Sequence, residues 1–319
     1  MLALMPLLLS TVAFADPPAP DHVALTFGWR VGMKAVVTAT EVRDNGAGPL
    51  PATALSAALE VRDAGEGALE LRWSKAKQSK ARKDPTLAVM LSAFHGTMPA
   101  EKVDATGAWK GLVDPDTVRL TLAKITDMMS AKLAGDVGDD PNARAALDLQ
   151  RTVLEHTLSP QVMSGRTEKS WNDEVGFWLG ADLELGKLYE FDADQATPSG
   201  GTLKSHIAFR ALERAPCAAF EGAPSCVRLT LHTESDPDTV RAMTLQVMQP
   251  ALAAMGLPAD ALTEARDEST LVVLVEPSTL RPWSAATEQR TTVTVDAHEP
   301  SGRQTTTRVT TRTKSWAWK

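Results

Sequence analysis

The chain has 319 residues, with 40 acidic against 33 basic side chains and a formal net charge of −7 at pH 7. An acidic chain does not offer the basic surface that neutralises phosphates, so we expect no nucleic-acid partner. Beyond residue 15 there is no run of about 18 apolar residues, so we expect no transmembrane segment after signal cleavage.

Residues 1–15 have the pattern of a secretory signal peptide, an apolar run that ends at the small-x-small site Ala13-Phe14-Ala15. Residues 16–22 begin with Asp-Pro-Pro-Ala-Pro and form a Pro-rich, extended lead-in. We therefore expect an exported protein, either periplasmic or extracellular.

Strand patterns begin at residue 23. Apolar side chains alternate with polar or smaller ones over 23–42, 55–61 and 69–74, which predicts half-buried strands. We predict two further strands, at 87–94 and 103–112, before the first repeated helix start.

One hexamer occurs twice, 122 residues apart: Asp-Pro-Asp-Thr-Val-Arg begins at Asp114 and again at Asp236. At the same offset, Thr-Leu-x-Pro begins at Thr157 and at Thr279. Two matches at one offset predict an internal duplication. Each hexamer is typical of a helix start, because Asp caps the N–H groups of the first turn and Pro lacks an N–H that would be unpaired there.

Each hexamer opens a Met-rich amphipathic helix. The simplest interpretation is a helix packed on a sheet. The alternative is a helix that lines an adaptable pocket for an apolar ligand, because Met fills irregular gaps. The residues that would line this pocket are Ile125, Met129, Met243, Val247 and Met255 of the helices, with Trp29 and Trp73 of the strands.

The second half of the chain also alternates strands with a helix. The predicted strands are 171–179, 183–193, 203–210, 227–234, 271–275, 291–297 and 305–318. The sequence around Gly186 resembles that around Gly32, and we take it as the start of a second unit. The last strand carries Thr and Arg on both faces, which is typical of an exposed or edge strand.

Two cysteines, Cys217 and Cys226, lie in the connection between the strands at 203–210 and 227–234. In an oxidising compartment this spacing predicts one disulfide that closes the hairpin loop. A structural metal would need more ligands than two Cys with no His nearby. The spacing also differs from the Cys-x-x-Cys of redox sites.

The common catalytic motifs are absent, including Gly-x-Ser-x-Gly, His-Glu-x-x-His and the phosphate-binding Gly loop. We therefore expect no cofactor and favour a protein that is not an enzyme. One alternative is a metal site at His206, His232 and Glu234, on the polar face of the stapled hairpin. The simpler interpretation of these residues is a solvated outer face of the sheet.

Together these patterns predict a β-rich α+β fold with two related units, 23–179 and 180–319, the second of which holds the disulfide hairpin. Each unit has antiparallel strands and one or two amphipathic helices. A curved sheet or half-barrel that covers the helices satisfies both patterns. In this layout the chain resembles periplasmic carriers in which an open half-barrel holds apolar cargo.

Three functions are compatible with these observations. The leading hypothesis is an exported, non-enzymatic protein that binds an apolar or lipid-like small molecule between the sheet and the helices. The first alternative is a structural or interaction module that binds another protein of the cell envelope. The second is a metal-assisted hydrolase.

Overall fold

A computed structural model describes residues 21–79, 85–94, 96–135, 155, 159–196, 201–220, 222–254, 256–297 and 302–319. The predicted signal peptide, most of the lead-in, the Thr157-Leu158 match and the predicted lining residue Met255 lie outside the described residues. These predictions therefore remain predictions.

Strands dominate the described part of the chain. They are β1 His22–Ala24, β2 Lys34–Asp44, β3 Thr53–Asp63, β4 Leu69–Gln78, β5 Glu101–Val103, β6 Trp109–Leu112, β7 Asp182–Glu184, β8 Tyr189–Ala196, β9 Thr202–Pro216, β10 Ser225–Ser235, β11 Leu262–Glu276, β12 Arg281–Ala297 and β13 Gly302–Trp318. The helices are α1 Pro85–Ala93, α2 Pro115–Gly135, α3 Pro160–Glu174 and α4 Pro237–Ala254, with 3-10 turns at Gly176–Trp178 and Ala259–Ala261.

Eleven strands form one antiparallel sheet in the order β6-β5-β4-β3-β2-β13-β12-β11-β10-β9-β8, and β1 pairs with β7 apart from it. Each half of the sheet is a meander of consecutive strands. The two meanders join where β13 pairs with β2. The sheet is open, with β6 and β8 at its edges, and fits a curved sheet with helices. The predicted β-rich α+β fold is confirmed.

The main core lies on one face of this sheet. Successive side chains of a strand point to opposite faces, so alternation in β10 buries Val227, Leu229 and Leu231 together. The same face of the first meander contributes Leu59 and Val61 of β3. Large aromatic side chains, among them Trp29, Trp171 and Trp178, pack against these strands in the main core.

Cys217 and Cys226 form the predicted disulfide at the β9–β10 connection. A structural disulfide is consistent with an oxidising compartment and hence with export. In the described ranges, no helix combines the length and the apolar character that crossing a bilayer requires.

Two segments that we predicted as strands are helical, and these predictions are wrong. Residues 87–94 fall in α1, and residues 171–179 span the end of α3 and the 3-10 turn that follows. The periodicity of a short apolar run does not distinguish a buried strand from a helix. The informative signal was proline, because Pro85 and Pro160 each stand first in their helix, where the missing N–H costs nothing.

The C-terminal strand is central in the sheet, which corrects the prediction of an edge strand, whereas most of its side chains are exposed, as the alternative prediction had it. β13 pairs with β12 along one side and with β2 along the other. Its polar side chains have partners on both neighbours: Arg312 donates to Glu41 at 2.7 Å, and the hydroxyls of Thr305 and Thr294 lie 3.1 Å apart. Cross-strand pairing therefore explains the Thr- and Arg-rich composition that suggested an edge.

Both copies of the hexamer begin a helix directly after a strand. The Asp114 carboxylate accepts from the Thr117 N–H at 3.2 Å, and Asp236 accepts from the Thr239 N–H at 2.8 Å. These bonds satisfy N–H groups that the first helical turn leaves unpaired.

The second match at the same offset does not have matching surroundings. Pro160 begins α3, whereas Thr279 lies in the β11–β12 turn and Pro282 lies in β12. A better structural correspondence joins Gly32 and Gly186, both with positive φ, which precede the first strand of each meander. The internal duplication and the unit boundary at residue 180 stay predictions, and the second meander begins with β8 at Tyr189.

Candidate functional site

Helices α1, α2 and α3 pack on one another beside the first meander, and we call them the helix layer. This layer is attached to the sheet chiefly through α3. Trp171 of α3 enters the main core and donates its Nε1–H to the Gly107 carbonyl at 2.9 Å, in the β5–β6 turn. Helix α3 thus fixes the layer at one end of the sheet.

The helix layer has a small apolar cluster of its own, separate from the main core. Val118, Leu122 and Ile125 of α2 form its centre and are between 0% and 4% exposed. The partly buried residues around them are Val89, Ala93, Phe94, Leu112, Met129 and Met163. Leu112 belongs to β6, so this cluster also reaches the edge of the sheet.

A single apolar stripe holds α2 in place. Its three buried side chains stabilise it by roughly 1.5–3 kcal/mol each. They do so for a helix of 21 residues, about 32 Å long, whose ordering costs conformational entropy. On the outward side, Leu120 and Met128 are 54% and 61% exposed. The buried side chains of α2 therefore belong to the helix-layer cluster and not to the main core.

The predicted lining residues of the first helix lie in this layer, whereas those of the second helix do not. Ile125 is fully buried and Met129 packs beside it. Met243 and Val247 lie on α4, which packs against β11 in the other half of the sheet. Val247 is 67% exposed and does not face the sheet.

Both predicted lining tryptophans pack in the main core and not in the helix-layer cluster. The ring centroid of Trp29 lies 5.2 Å from those of Trp171 and Trp318. Core packing accounts for its burial. Trp73 is partly buried against the same core, and its Nε1–H donates to Glu101 Oε1 at 2.8 Å.

Glu101 is the start of a buried polar feature that sequence analysis did not identify. It is only 8% exposed and pairs across the β5–β6 ladder with Leu112. Paired residues share a face, so the Glu101 carboxyl stands next to the apolar cluster of the helix layer. A carboxyl group so placed needs compensation from neighbouring donors or charges.

A second carboxyl joins it from α3. Glu174 pairs with Lys314 of β13, whose ammonium also donates to Ser170 Oγ at 2.7 Å. We call Trp73, Glu101, Ser170, Glu174 and Lys314 the interior polar cluster. It lies between the sheet and the helix layer and connects α3 to the centre of the sheet.

Burial dominates the electrostatics of this cluster. Burial raises the pKa of Glu101 to about 7, although the Trp73 N–H and the Lys314 ammonium oppose the shift. Burial also raises the pKa of Glu174, against the effect of Lys314. Two carboxyls share one ammonium, so the cluster has a negative excess when both are ionised.

The indole of Trp109 adds an unsatisfied donor to this region. Its N–H is near enough to Glu101 to lower the pKa of the carboxyl, yet the buried Nε1 forms no hydrogen bond of normal geometry. A buried donor without a partner carries a free-energy cost on the order of 1–3 kcal/mol. The Trp109 N–H is therefore a second donor close to the Glu101 carboxyl, and it is not engaged in a hydrogen bond of normal geometry.

A signal for this cluster was present in the sequence. Glu101 is two residues before Val103, and Lys314 is two residues before Trp316. In a strand this spacing puts each charged side chain on the same face as a buried apolar one. We predicted a strand only from residue 103, which left Glu101 outside it.

A polar surface pocket of about 480 Å³ lies at the opposite edge, between β8, β9 and the start of α4. It includes His206 and Glu234 from the predicted metal alternative. His206 is engaged by Asp192 at 2.9 Å, a bond that raises the pKa of the histidine, and His232 bonds to Thr270. Within the described ranges no three His, Cys, Asp or Glu side chains are arranged to hold a metal ion.

Comparisons with known proteins place the chain in no family. No family model and no curated protein matches the sequence. Among solved structures, the chain is similar to one described as "lipid-protein interactions in lipovitellin", with 11% sequence identity and a TM-score of 0.37. The match covers 91% of this chain and 25% of that one, so this chain spans about a quarter of the lipovitellin structure.

Proposed function

We propose that this protein binds an apolar or lipid-like ligand between the sheet and the helix layer, as a carrier and not as an enzyme. The observation that carries the proposal is the separation of the two apolar clusters. Because the buried residues of α2 and the packed residues of α1 belong to the small cluster, these two helices can open over the sheet while α3 and the main core stay packed. The ligand would then replace contacts among α1, α2 and Leu112.

Two further features support the proposal. Met129 and Met163 stand at the border of the helix-layer cluster, and thioether side chains adapt to ligands of varied shape. The helix layer also packs beside the open edge of a curved sheet at β6, where Leu112 joins the helix-layer cluster, and this edge gives a chain-like ligand a way in. The disulfide is consistent with a role outside the reducing cytoplasm.

The test is to purify the mature protein without detergent, extract it with organic solvent, and identify the extract by mass spectrometry. We expect an amphiphile at close to one molecule per chain. Amide exchange in α1 and α2 should slow when the extract is added back, and exchange in β10 and β11 should not change. A clean extract, together with unchanged exchange in the helix layer, would falsify the proposal.

A further inference from the structure

The interior polar cluster indicates what kind of headgroup such a ligand has. We infer that Glu101, with the Trp73 and Trp109 indoles beside it, receives the headgroup of an amphiphile that donates hydrogen bonds and carries no negative charge, such as an amine or an alcohol. This inference rests on the proposed function and deepens it. The residues that carry it lie on β4, β5, β6 and β13 and on the facing helix α3.

The first argument is position. Glu101 and Leu112 face each other across β5 and β6, and Leu112 packs against the Val118, Leu122 and Ile125 cluster. The Glu101 carboxyl is therefore a hydrogen-bond acceptor next to the apolar residues that run from Leu112 to the stripe on α2. An amphiphile needs both parts in this arrangement, with its headgroup at the carboxyl and its tail along α2.

The second argument is charge. The Lys314 ammonium is paired with the Glu174 carboxyl, so one positive charge serves the two carboxyls of the cluster. A carboxylate or phosphate brought beside Glu101 and Glu174 would meet two like charges in a region of low dielectric. An ammonium would supply the missing counter-charge, and a hydroxyl would supply a donor without adding charge.

The other charged groups on α3 and β13 are not among those that act on Glu101. Burial and the nearby Arg312 guanidinium of β13 lower the pKa of Arg166 on α3. On α3, Lys169 is paired with Asp173 through a bond of 2.8 Å. Farther along, Arg312 of β13 is held by Glu41 at 2.7 Å, and its side chain is half exposed. Solvent screens these groups much more than it screens Glu101.

The third argument is the unused donor and acceptor capacity. A carboxylate accepts about four hydrogen bonds, and among the described residues Glu101 receives one of normal geometry, from Trp73. The buried Trp109 N–H has no such partner. A hydroxyl could donate to Glu101 and accept from Trp109 at once, which matches this pair of groups.

The experiment measures the affinity of three probes of one chain length, a primary amine, an alcohol and a carboxylate, by titration calorimetry below their micelle concentrations at pH 7.5 and physiological salt. We expect the amine to bind at least about tenfold more tightly than the carboxylate, with the alcohol between them. In Glu101→Gln the preference of amine over alcohol should disappear. The control Glu168→Gln, on the exposed side of α3, removes the same charge and should bind like the wild type.

Circular dichroism first establishes that both variants fold. Equal affinity for amine and carboxylate in the wild-type protein, or an amine affinity that Glu101→Gln leaves unchanged, overturns the headgroup inference while lipid binding stands. Absence of binding by all three probes overturns the proposed function itself.

Discussion

At the scale of single residues, the feature with the greatest physical consequence is the carboxyl of Glu101. Burial raises the pKa of this carboxyl to about 7, so its neutral and ionised forms are both populated near neutral pH. Exposed carboxylates elsewhere behave in the opposite way. Bonds from Thr106 and Lys110 lower the pKa of Asp104, and the bond from Thr117 lowers that of Asp114.

The first prediction concerns the pH dependence of stability. A carboxyl whose folded-state pKa is raised from 4.5 to about 7 stabilises the fold below pH 4.5, and this stabilisation is lost as pH rises through 7. The loss is at most about 3 kcal/mol. Glu101→Gln should therefore become more stable than the wild type by up to this amount on going from pH 5 to pH 8, as measured by urea unfolding.

Other titratable groups also change the unfolding free energy between pH 5 and pH 8. The measurement therefore compares the wild type with Glu101→Gln at each pH. His206 and Glu174 also have raised pKa values, and their contributions are likewise lost as pH rises, in both proteins. The carboxylates with lowered pKa values act only in more acidic solution. If the unfolding free energies of wild type and Glu101→Gln run parallel from pH 5 to pH 8, Glu101 is not the buried acid described above.

At the scale of elements, the helix layer and the sheet differ in how firmly they are held. Strands β10, β11 and β12 are paired along most of their length and bury Leu229, Val273 and Val275 completely. Helix α2 depends on one stripe centred on Ile125. Local opening is easiest where few apolar contacts support an element.

The second prediction tests this difference in the free protein. Ile125→Ala should cost about 2–5 kcal/mol of local stability, because it leaves a cavity at the centre of the helix-layer cluster. Amide exchange should accelerate in α1 and α2 far more than in β10 or β11. The matched control Leu120→Ala removes an exposed side chain of the same helix and should change stability by about 0.5 kcal/mol or less.

A uniform acceleration of exchange across α2 and the sheet in Ile125→Ala would mean that the layer and the main core unfold as one unit. The carrier proposal would then lose its physical basis, because the ligand site could not open separately.

At the scale of the whole molecule, the two meanders are one sheet because the last strand pairs with the first long strand. β13 and β2 are paired from Val309 with Asp44 to Trp318 with Ala35. Residues near the two ends of the described chain therefore meet at the centre of the sheet. The two meanders form one sheet only when strands from opposite ends of the chain pair, so the stability of the sheet depends on the pairing of β13 with β2.

The third prediction concerns that pairing. Thr311 pairs with Glu288 on one side and with Val42 on the other, so Thr311→Pro removes a ladder N–H at the centre of the sheet. We expect a loss of about 3 kcal/mol or more, measured by chemical unfolding. Thr311→Ser keeps the N–H and the hydroxyl and should cost about 1 kcal/mol or less. Equal stability of the two variants would contradict the central position of β13.

Several features of this molecule could be predicted because they are local. The Asp-Pro pairs at Asp114 and Asp236 mark helix starts by chemistry contained within one turn, and the hairpin of β9 and β10 follows from alternation and the spacing of Cys217 and Cys226. The same kind of signal was misread where a run was short and apolar, as in 87–94. There the initial proline was more informative than the periodicity.

By itself, the sequence determined most of the strands, the two helices that the hexamers begin, the disulfide and the β-rich class, because side-chain periodicity and capping act over a few residues. Only the tertiary structure decided that β13 is central, that Trp29 and Trp73 pack in the main core and not in the helix-layer cluster, and that Glu101, Glu174 and Lys314 meet. These outcomes depend on pairing between strands that are far apart in the chain. A carboxyl in a strand has the same local pattern whether it faces water or the interior, and its chemistry changes only when the sheet and the helix layer enclose it.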